Sequence, residues 1–253
     1  MKYACDSRAS RSDEETAKLL FEALPWIKNL TGKTVVIKYG GAAMVDPRLR
    51  ADVMSDIVLL KIIGMKPVIV HGGGKDINAA LSHYDIPVRF KDGQRVTDEA
   101  TMEIVRQVLV GKVNEDLVAA INAHGNLAVG VSGSDAGTIV AERLDPELGR
   151  VGKISRINAD YLESLMDSEY IPVVATVAQG NINADVAAGH IAAAVHAHKV
   201  IFLTDVDGLY EDFEDKDSLI SNLTLEETEA MLSAGEVDRG MIPKLESCVH
   251  ALR

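Results

Sequence analysis

The stretch that decides the fold reads PVIVHGGGK at residues 67–75. A predicted strand at 67–70, rich in β-branched residues, is followed by His71 and three consecutive glycines, and a helical pattern begins at Lys75. Ligands of open α/β sheets bind beyond the carboxyl ends of the strands, and glycines there let backbone N–H groups approach an anion. The start of the next helix adds partial positive charge. The stretch therefore predicts a phosphate cradle, and the alternative is a flexible strand-to-helix loop.

The same arrangement occurs earlier in the chain, in TVVIKYGG at residues 34–41. Lys38 lies near the end of an apolar strand, and Gly40 and Gly41 follow it. The lysine would supply a point charge beside glycine amides that face an anion. The alternative is a strand-end lysine whose ammonium group reaches water beside a tight turn.

Strands and helices alternate on both sides of these stretches. Strands are predicted at 34–38, 67–70, 127–131, 138–142, 172–177 and 199–204; helices are predicted at 51–63, 75–83, 97–123, 158–168 and 185–195, and a last one runs from its cap at Thr224 to Gly235. The strands are rich in β-branched residues, and aromatic residues are only 4% of the chain. The pattern predicts an α/β protein with a mainly parallel sheet covered by helices.

An amphipathic helix is predicted before the first strand. Residues 12–15 form a capping box, and Leu20, Leu24 and Ile27 follow at helical spacing. Pro25 predicts that the helix bends or restarts there. A helix outside the domain is either an oligomer contact or a plain packing helix, and the pattern leaves both open.

Composition excludes several classes of protein. The 253 residues are 47% hydrophobic and carry a formal net charge of −12, which argues against nucleic acid and acidic membrane surfaces as partners. Cys5 and Cys248 form no CxxC pair, so a disulfide framework or a zinc site is not expected. The sequence shows no signal peptide and no apolar run of about 18 residues, and we expect a cytoplasmic protein.

Three further motifs lie in the second half of the chain. NINAD at residues 181–185 starts a helix of small residues, for which a helix cap is the alternative interpretation. TDVDGLY at residues 204–210 follows a strand, and its aspartates could bind a metal, cap a turn or contact a nucleotide sugar. GMIPK at residues 240–244 uses a proline to aim a lysine, or is a solvated helix start.

Familiar phosphate and metal motifs are not found. GKT at residues 32–34 resembles the end of a P-loop, but Ile27 stands where the first glycine belongs, and no GxGxxG follows a strand. The histidines 190, 196 and 198 do not form a metal-ligand set. Arg95, just before a helix N-cap, suits bidentate carboxylate binding, although surface arginines are common.

Together and in this order, these segments resemble the amino-acid kinase superfamily, and within it the acetylglutamate kinases, from about residue 12 to residue 253. The matching motifs are KYGG at 38–41, HGGG at 71–74, RVTD at 95–98, LVGKVN at 109–114, NINAD at 181–185, LTDVDG at 203–208 and GMIPK at 240–244. The resemblance implies a three-layer α/β/α sandwich. It also implies an extension helix at 1–30 and one kinase domain at 31–253, with a substrate lobe at about 31–177 and an ATP lobe at about 178–253.

The resemblance also implies the reaction and its residues. ATP, with Mg²⁺ carried on its phosphates, would phosphorylate the side-chain carboxylate of N-acetyl-L-glutamate. Arg95 would bind the α-carboxylate of the substrate, two lysines would stabilise the transferring phosphoryl group, and Asp185 would hold both lysines. The implied residues are Lys38, Lys244 and Asp185 for catalysis, Gly73, Gly74, Arg95 and Asn181 for the substrate, and Gly40, Gly41, Thr204, Asp205, Tyr210, Gly240 and Met241 for phosphate or ATP.

The chemistry agrees with this set of residues, because a carboxylate nucleophile is already ionised at neutral pH and needs no general base. Family members with an N-terminal helix are hexamers, trimers of dimers, that arginine inhibits, and we expect the same here. Family chains usually continue past the position of Arg253 and carry a longer hairpin where residues 177–180 stand. The rival interpretations are a carboxylate kinase with another acceptor and a non-catalytic protein that binds arginine or ATP.

Overall fold

The computed structural model describes residues 12–44, 46–212, 214–235, 237–238 and 240–253. Its strands are β1 Thr34–Tyr39, β2 Lys66–His71, β3 Phe90–Lys91, β4 Gln94–Arg95, β5 Ala128–Ser132, β6 Ile139–Arg143, β7 Gly152–Ile157, β8 Ile171–Ala175, β9 Lys199–Phe202, β10 Leu209–Tyr210 and β11 Leu219–Ile220. Its α-helices are α1 Asp13–Leu30, α2 Pro47–Ile62, α3 Gly74–His83, α4 Glu99–Val108, α5 Glu115–Asn122, α6 Asp160–Asp167, α7 Ala184–Ala194, α8 Leu225–Ala234 and α9 Ile242–Leu252. A π-helix, Leu109–Asn114, joins α4 to α5, and four short 3₁₀ turns complete the regular structure of the described residues.

A five-stranded parallel sheet forms the centre of the protein, in the order β5-β8-β2-β1-β9. Its three inner strands are apolar runs, as expected for parallel strands that are buried on both faces. Three two-stranded antiparallel pairs, β3–β4, β6–β7 and β10–β11, lie outside it. The prediction of an α/β protein with a mainly parallel sheet is confirmed.

The two faces of the sheet hold two separate cores, which makes the protein a three-layer sandwich. Alternate strand residues point to opposite faces, so Val35 and Ile37 pack in one core while Val36 packs in the other. The first core is filled by α2 to α5, and the second by α6, α7 and the β6–β7 hairpin. Small residues of α7, Ala187, Ala188 and Ala192, pack in the second core against the sheet.

Most predicted elements are present, with shifted ends. The predicted helix at 51–63 begins earlier, at the N1 proline of α2, because the Asp46 side chain caps that helix. The predicted helix at 97–123 is one run, but it contains the π-helix, which a 3.6-residue period does not reveal. The short strands β3, β4, β10 and β11, strand β7 and helix α9 were not predicted.

Helix α1 forms as its capping box predicts. The Ser12 hydroxyl accepts from Glu15 N at 3.2 Å, and Ser12 N donates to the Glu15 carboxylate at 2.8 Å. The helix continues through Pro25, so of the two predicted outcomes, a bend or a restart, the restart is wrong. No residue of α1 is buried, and Phe21 and Trp26 are about 70% exposed.

Two further expectations concern the chain ends and membranes. Cys248 is a free, half-buried thiol. Burial raises the pKa of this thiol, and the nearby Asp185 carboxylate raises it further. Cys5 lies outside the described residues.

None of the helices in the described part of the chain combines the length and apolarity needed to cross a bilayer. The division into an extension, a substrate lobe and an ATP lobe stays a prediction.

Candidate active site

The site is built around one carboxylate that lies between two ammonium groups. Lys38 Nζ lies 3.0 Å from Asp185 Oδ1, and Lys244 Nζ lies 3.3 Å from Asp185 Oδ2. The three side chains are only 12–16% exposed. Oδ1 accepts no hydrogen bond from the described residues, so its contact with Lys38 is an ion pair. Two lysines and one aspartate give the cluster a formal net charge of +1, which attracts anions.

Strand geometry places the first lysine. Lys38 shares the face of β1 with Val36, which packs in the core under α7, so its ammonium group reaches the start of that helix. Gly40 leaves room for this ammonium group, since a Cβ there would lie 2.7 Å from Lys38 Nζ and would displace the end of that flexible side chain.

The start of α7 places the carboxylate. Asn183 caps this helix, because its side-chain oxygen accepts from the backbone N–H groups of Asp185 at 2.9 Å and Val186 at 3.2 Å. The cap interpretation of the NINAD motif therefore applies to Asn183 rather than to Asp185. The Asp185 side chain is left to face the two lysines.

A close helix crossing places the second lysine. Lys244 lies in the first turn of α9, behind a proline at the helix start, and its ammonium group faces Asp185 instead of solvent, in line with the first of the two interpretations of GMIPK. The hydroxyl of buried Ser247 donates to Asp185 O at 2.6 Å and ties α9 to the start of α7. Gly189 of α7 lets α9 approach, since a Cβ there would lie 2.5 Å from Ser247 O.

A cleft of about 390 Å³ opens on the Lys38 side of the carboxylate. Both glycine stretches line it, so the two phosphate cradles predicted from separate strands face one space. The other residues of interest on its walls are Arg95, Asn181, Asp185, Phe90, Asn78 and Thr176. The carboxyl ends of β1 and β2 meet here because the two strands are parallel neighbours.

Arg95 is a buried cation in the wall of this cleft. One of its guanidinium nitrogens donates to Asn78 Oδ1 at 2.6 Å and to Gly74 O at 3.2 Å, and the guanidinium carbon lies 4.8 Å from the centroid of the Phe90 ring. Burial lowers the pKa of Arg95. The other terminal nitrogen is buried and has no hydrogen-bond partner among the described residues. An incoming carboxylate would supply both the missing acceptor and the missing charge.

Asn181 reaches the cleft from the short connection after β8. Residues 177 and 181 pair across it, and Asn181 Nδ2 donates to Thr97 Oγ1 at 3.2 Å. Thr97, fully buried, in turn donates to Arg95 O at 2.8 Å. The short connection therefore holds Asn181 and Arg95 on the same wall of the cleft.

A second cleft of about 380 Å³ opens on the Lys244 side. It contains five of the residues that the resemblance assigns to phosphate or ATP, namely Thr204, Asp205, Tyr210, Gly240 and Met241, together with the catalytic candidate Lys244. Tyr210 donates to Asp207 Oδ2 at 3.1 Å, and desolvation together with that carboxylate raises its pKa. The described residues contain no group of three or more His, Cys, Asp and Glu side chains that could hold a metal ion.

Gly41 joins the two clefts. Its φ of +65° favours glycine, and a Cβ there would lie 3.2 Å from Asp205 N. The KYGG stretch thus lies directly against the backbone of the TDVDGLY motif. Gly40 and Gly41, which the resemblance assigns to phosphate or ATP, line the first cleft and not the second.

Sequence reasoning missed the residues that support the site rather than face a ligand. Phe90 and Asn78 hold Arg95, and Ser247 and Gly189 hold α9 against α7. Each is a common residue type outside any motif, so only the folded contacts reveal these roles.

Comparisons with known proteins identify the family of this chain. Residues 33–253 match the model of the amino acid kinase family. An acetylglutamate kinase of Caldanaerobacter subterraneus subsp. tengcongensis is 50% identical over 244 residues, which are 93% of this chain and 82% of that protein. The N-acetylglutamate synthase of Neisseria gonorrhoeae superimposes with a TM-score of 0.78 at 22% identity over 93% of this chain and 55% of that one. Giardia carbamate kinase superimposes with a TM-score of 0.68 at 16% identity over 87% of this chain and 88% of that one.

The two solved structures, at such low identity, show the fold alone. The match over residues 33–253 is broader evidence, and the chain belongs to the amino acid kinase family. Within that family it belongs to the acetylglutamate kinases, which match it at about half of all positions over nearly its whole length.

The crossing of α7 and α9 gives a test of how the site is held together. We expect Gly189→Ala to push α9 outward, because the new methyl would collide with Ser247 backbone atoms that cannot rotate away. Overpacking of this kind costs about 1–3 kcal/mol. A crystal structure should show Lys244 Nζ more than 4 Å from Asp185, and thermal unfolding should show a lower Tm.

Gly111→Ala is the matched control, since an added Cβ at this exposed helical glycine meets no atom within 4 Å. It should leave the Lys244–Asp185 contact intact and Tm unchanged or higher. An unmoved α9 in Gly189→Ala would show that this crossing does not set the position of Lys244.

Proposed function

We propose that this protein transfers the γ-phosphoryl group of ATP to the side-chain carboxylate of N-acetyl-L-glutamate and forms N-acetyl-L-glutamyl 5-phosphate. The observation that carries the proposal is the Lys38–Asp185–Lys244 cluster, which lies between a cleft lined by a buried arginine and a second cleft of nucleotide size. The names of the relatives and the composition of the site support the same reaction.

The chemistry requires charge and positioning rather than a base. A carboxylate is already ionised at neutral pH, whereas the transferring phosphoryl group carries negative charge on its equatorial oxygens. Lys38 and Lys244 supply positive charge from opposite sides of this group, and Asp185 keeps both ammonium groups in place. The N–H groups of Gly41 and Gly73 add fixed dipoles that need no reorganisation during the reaction.

The first cleft takes the acyl amino acid in this proposal. Arg95 binds the α-carboxylate, which satisfies its buried nitrogen and its charge at once. Gly73, Gly74 and Asn181 contact the rest of the substrate. Its side-chain carboxylate then points towards Lys38, deeper in the same cleft.

The second cleft takes ATP. Asp205 and Tyr210 lie where the nucleoside would bind, with Thr204, Gly240 and Met241 around it, and Lys244 lies at the end that meets Asp185. Mg²⁺ arrives on the phosphates of ATP and neutralises part of their charge when bound. Gly40 and Gly41 approach the terminal phosphate from the first cleft.

We expect ADP release that depends on N-acetyl-L-glutamate and on Mg²⁺-ATP, measured by a coupled assay. A hydroxamate assay with aspartate, glutamate and carrier-bound acyl amino acids distinguishes this activity from that of other carboxylate kinases. Release with one of those acceptors in place of N-acetyl-L-glutamate would contradict the proposed substrate, and no release with any acceptor would favour a binding protein.

Lys38→Ala should lower kcat about 10²–10³-fold with little change in KM, because Lys38 acts on charge that develops in the transition state. Lys66→Ala is the matched control, since Lys66 also pairs with an aspartate, Asp167 at 2.7 Å, but at the opposite end of the sheet. It should keep normal kcat. Near-normal turnover in Lys38→Ala would remove this lysine from the chemistry.

We also infer that α1 joins copies of the chain into a hexamer, a trimer of dimers, and that arginine inhibits it. The inference rests on the resemblance and on the exposed apolar side chains of α1, such as Phe21, Leu20 and Trp26. Arginine inhibition is supported by the presence of this helix and not by a site among the described residues.

Deletion of residues 1–28, or the paired change Phe21→Ser with Trp26→Ser, should reduce the hexamer to dimers in light scattering. Burial of these two rings between copies would supply the association energy that the change removes. Glu22→Ala on the same helix is the control and should keep the larger mass. An unchanged mass after the deletion would contradict the assembly.

A further inference from the structure

A π-helix, Leu109–Asn114, lies directly beneath the glycine stretch of residues 72–74. An α-helix advances about 100° per residue, so residue 114 would lie about 140° around the axis from residue 109. A turn closed by i→i+5 bonds instead returns residue 114 to the face of residue 109. The π-helix thus lets Leu109 and Val113 contact Gly73 while Asn114, on the same face of the helix, reaches His71 just before the loop.

Two of these side chains support Gly73 from below. A Cβ on Gly73 would lie 2.7 Å from Leu109 Cδ2 and 3.1 Å from Val113 Cγ2, so the bare backbone rests on this apolar surface. Lys112, one residue earlier than Val113, forms an ion pair with Asp76 in the first turn of α3. The π-helix therefore contacts the loop and the helix that follows it.

The third side chain begins a buried chain of hydrogen bonds. Asn114 Nδ2 lies 2.8 Å from Val173 O and 2.9 Å from His71 Nε2. Val173 O can only accept, which identifies the nearby Asn114 atom as the amide nitrogen. That nitrogen donates to both partners, so His71 Nε2 is an acceptor and the imidazole proton resides on Nδ1.

His71 links Asn114 to the glycine stretch by a second hydrogen bond. Its Nδ1 lies 2.9 Å from Gly72 O, and with the proton on Nδ1 the imidazole donates to that carbonyl. His71 is fully buried and Asn114 nearly so, and burial lowers the pKa of His71 to about 4, which keeps the ring neutral. Gly130 on β5 makes room, because a Cβ there would overlap the Asn114 amide oxygen.

Peptide planarity converts a fixed carbonyl into an aimed donor. Gly72 C=O and Gly73 N–H belong to one trans peptide, so they point in opposite directions. When His71 holds the carbonyl down towards the core, the N–H of Gly73 points up, towards the cleft. The next peptide is fixed as well, because Gly73 O accepts from Ile77 N at 2.8 Å in the first turn of α3.

We propose that Asn114 and His71 are positioning residues that fix the tautomer of one imidazole and thereby aim the Gly73 amide at the transferring phosphoryl group. The proposal rests on the proposed function for the identity of that group. Neither residue touches the substrate: both act through the orientation of the peptide between Gly72 and Gly73.

Two substitutions of His71 distinguish the role of its hydrogen bond to Gly72 from that of its hydrogen bond to Asn114. In His71→Asn the amide nitrogen stands at the same distance along the side chain as Nδ1 and can still donate to Gly72 O. In His71→Gln the polar atoms stand at the position of Nε2, so the link to Asn114 is kept and the donation to Gly72 is lost. Both variants exchange a buried ring for a buried amide, which makes each the control for the other.

We expect His71→Gln to lower kcat about 10- to 100-fold with nearly unchanged KM values, as loss of a supporting hydrogen bond does at other sites, and His71→Asn to keep most of kcat. Crystal structures should show the Gly72 carbonyl turned away from residue 71 in His71→Gln only. A merely structural role predicts lower Tm in both variants and no such difference between them.

Equal kcat in the two variants, or an unchanged Gly72–Gly73 peptide in His71→Gln, would overturn the proposal. If His71→Gln does not fold, Asn114→Leu tests the same step, because it keeps His71 but leaves its tautomer unfixed, and it should lower kcat at constant KM. Wild-type protein that releases no ADP with N-acetyl-L-glutamate would instead overturn the proposed function, and the orientation of the peptide in the crystals would still decide the positioning.

Discussion

Two ammonium groups and one carboxylate, nearly shielded from water, are the interaction on which the rest of the structure depends. Lys38 and Lys244 would repel each other without Asp185, and burying either charge alone would be costly. With the carboxylate between them, the cluster is stable in the folded chain and still carries net positive charge. A fully neutralised pair would bind an anionic phosphate less well, so the odd number of charges is what suits the cluster to phosphoryl transfer.

This constraint explains why the backbone around the cluster is so closely packed. The three charges come from β1, α7 and α9, and a shift of about 1 Å in one element would separate them. Asn183 fixes the start of α7, Ser247 ties α9 to the carbonyl of Asp185, and Gly189 allows the two helices to touch. The hydrogen bonds and packing contacts that hold the charged groups in place are short-range and directional. The electrostatic interactions among the charged groups are long-range and depend little on direction.

The sequence predicted the parts of the fold and of the site that are local patterns. The strands that end in KYGG and HGGG, the capping boxes at Ser12 and Thr224 and the αL glycine at residue 235 are all encoded by neighbours a few positions apart. The meeting of Lys38, Asp185 and Lys244 was available only through the family resemblance, since no local rule brings β1 and α9 together. The π-helix escaped prediction because its hydrophobic spacing fits the 3.6-residue period on either side of it, and the His71–Asn114 bond escaped because it joins two elements that are separate in sequence.

The glycine loops show why such hidden support matters for this chemistry. Bare backbone lets amides approach a phosphate, but a glycine has many accessible conformations and an amide that turns freely is a poor electrostatic donor. Precision must therefore come from below the loop, where a side chain cannot obstruct the ligand. His71 restrains one peptide by a hydrogen bond, Leu109 and Val113 restrain the next residue by contact, and α3 restrains the peptide after it. The loop keeps the steric openness of glycine while its conformational freedom is removed by buried neighbours, and this combination is what a preorganised anion site requires.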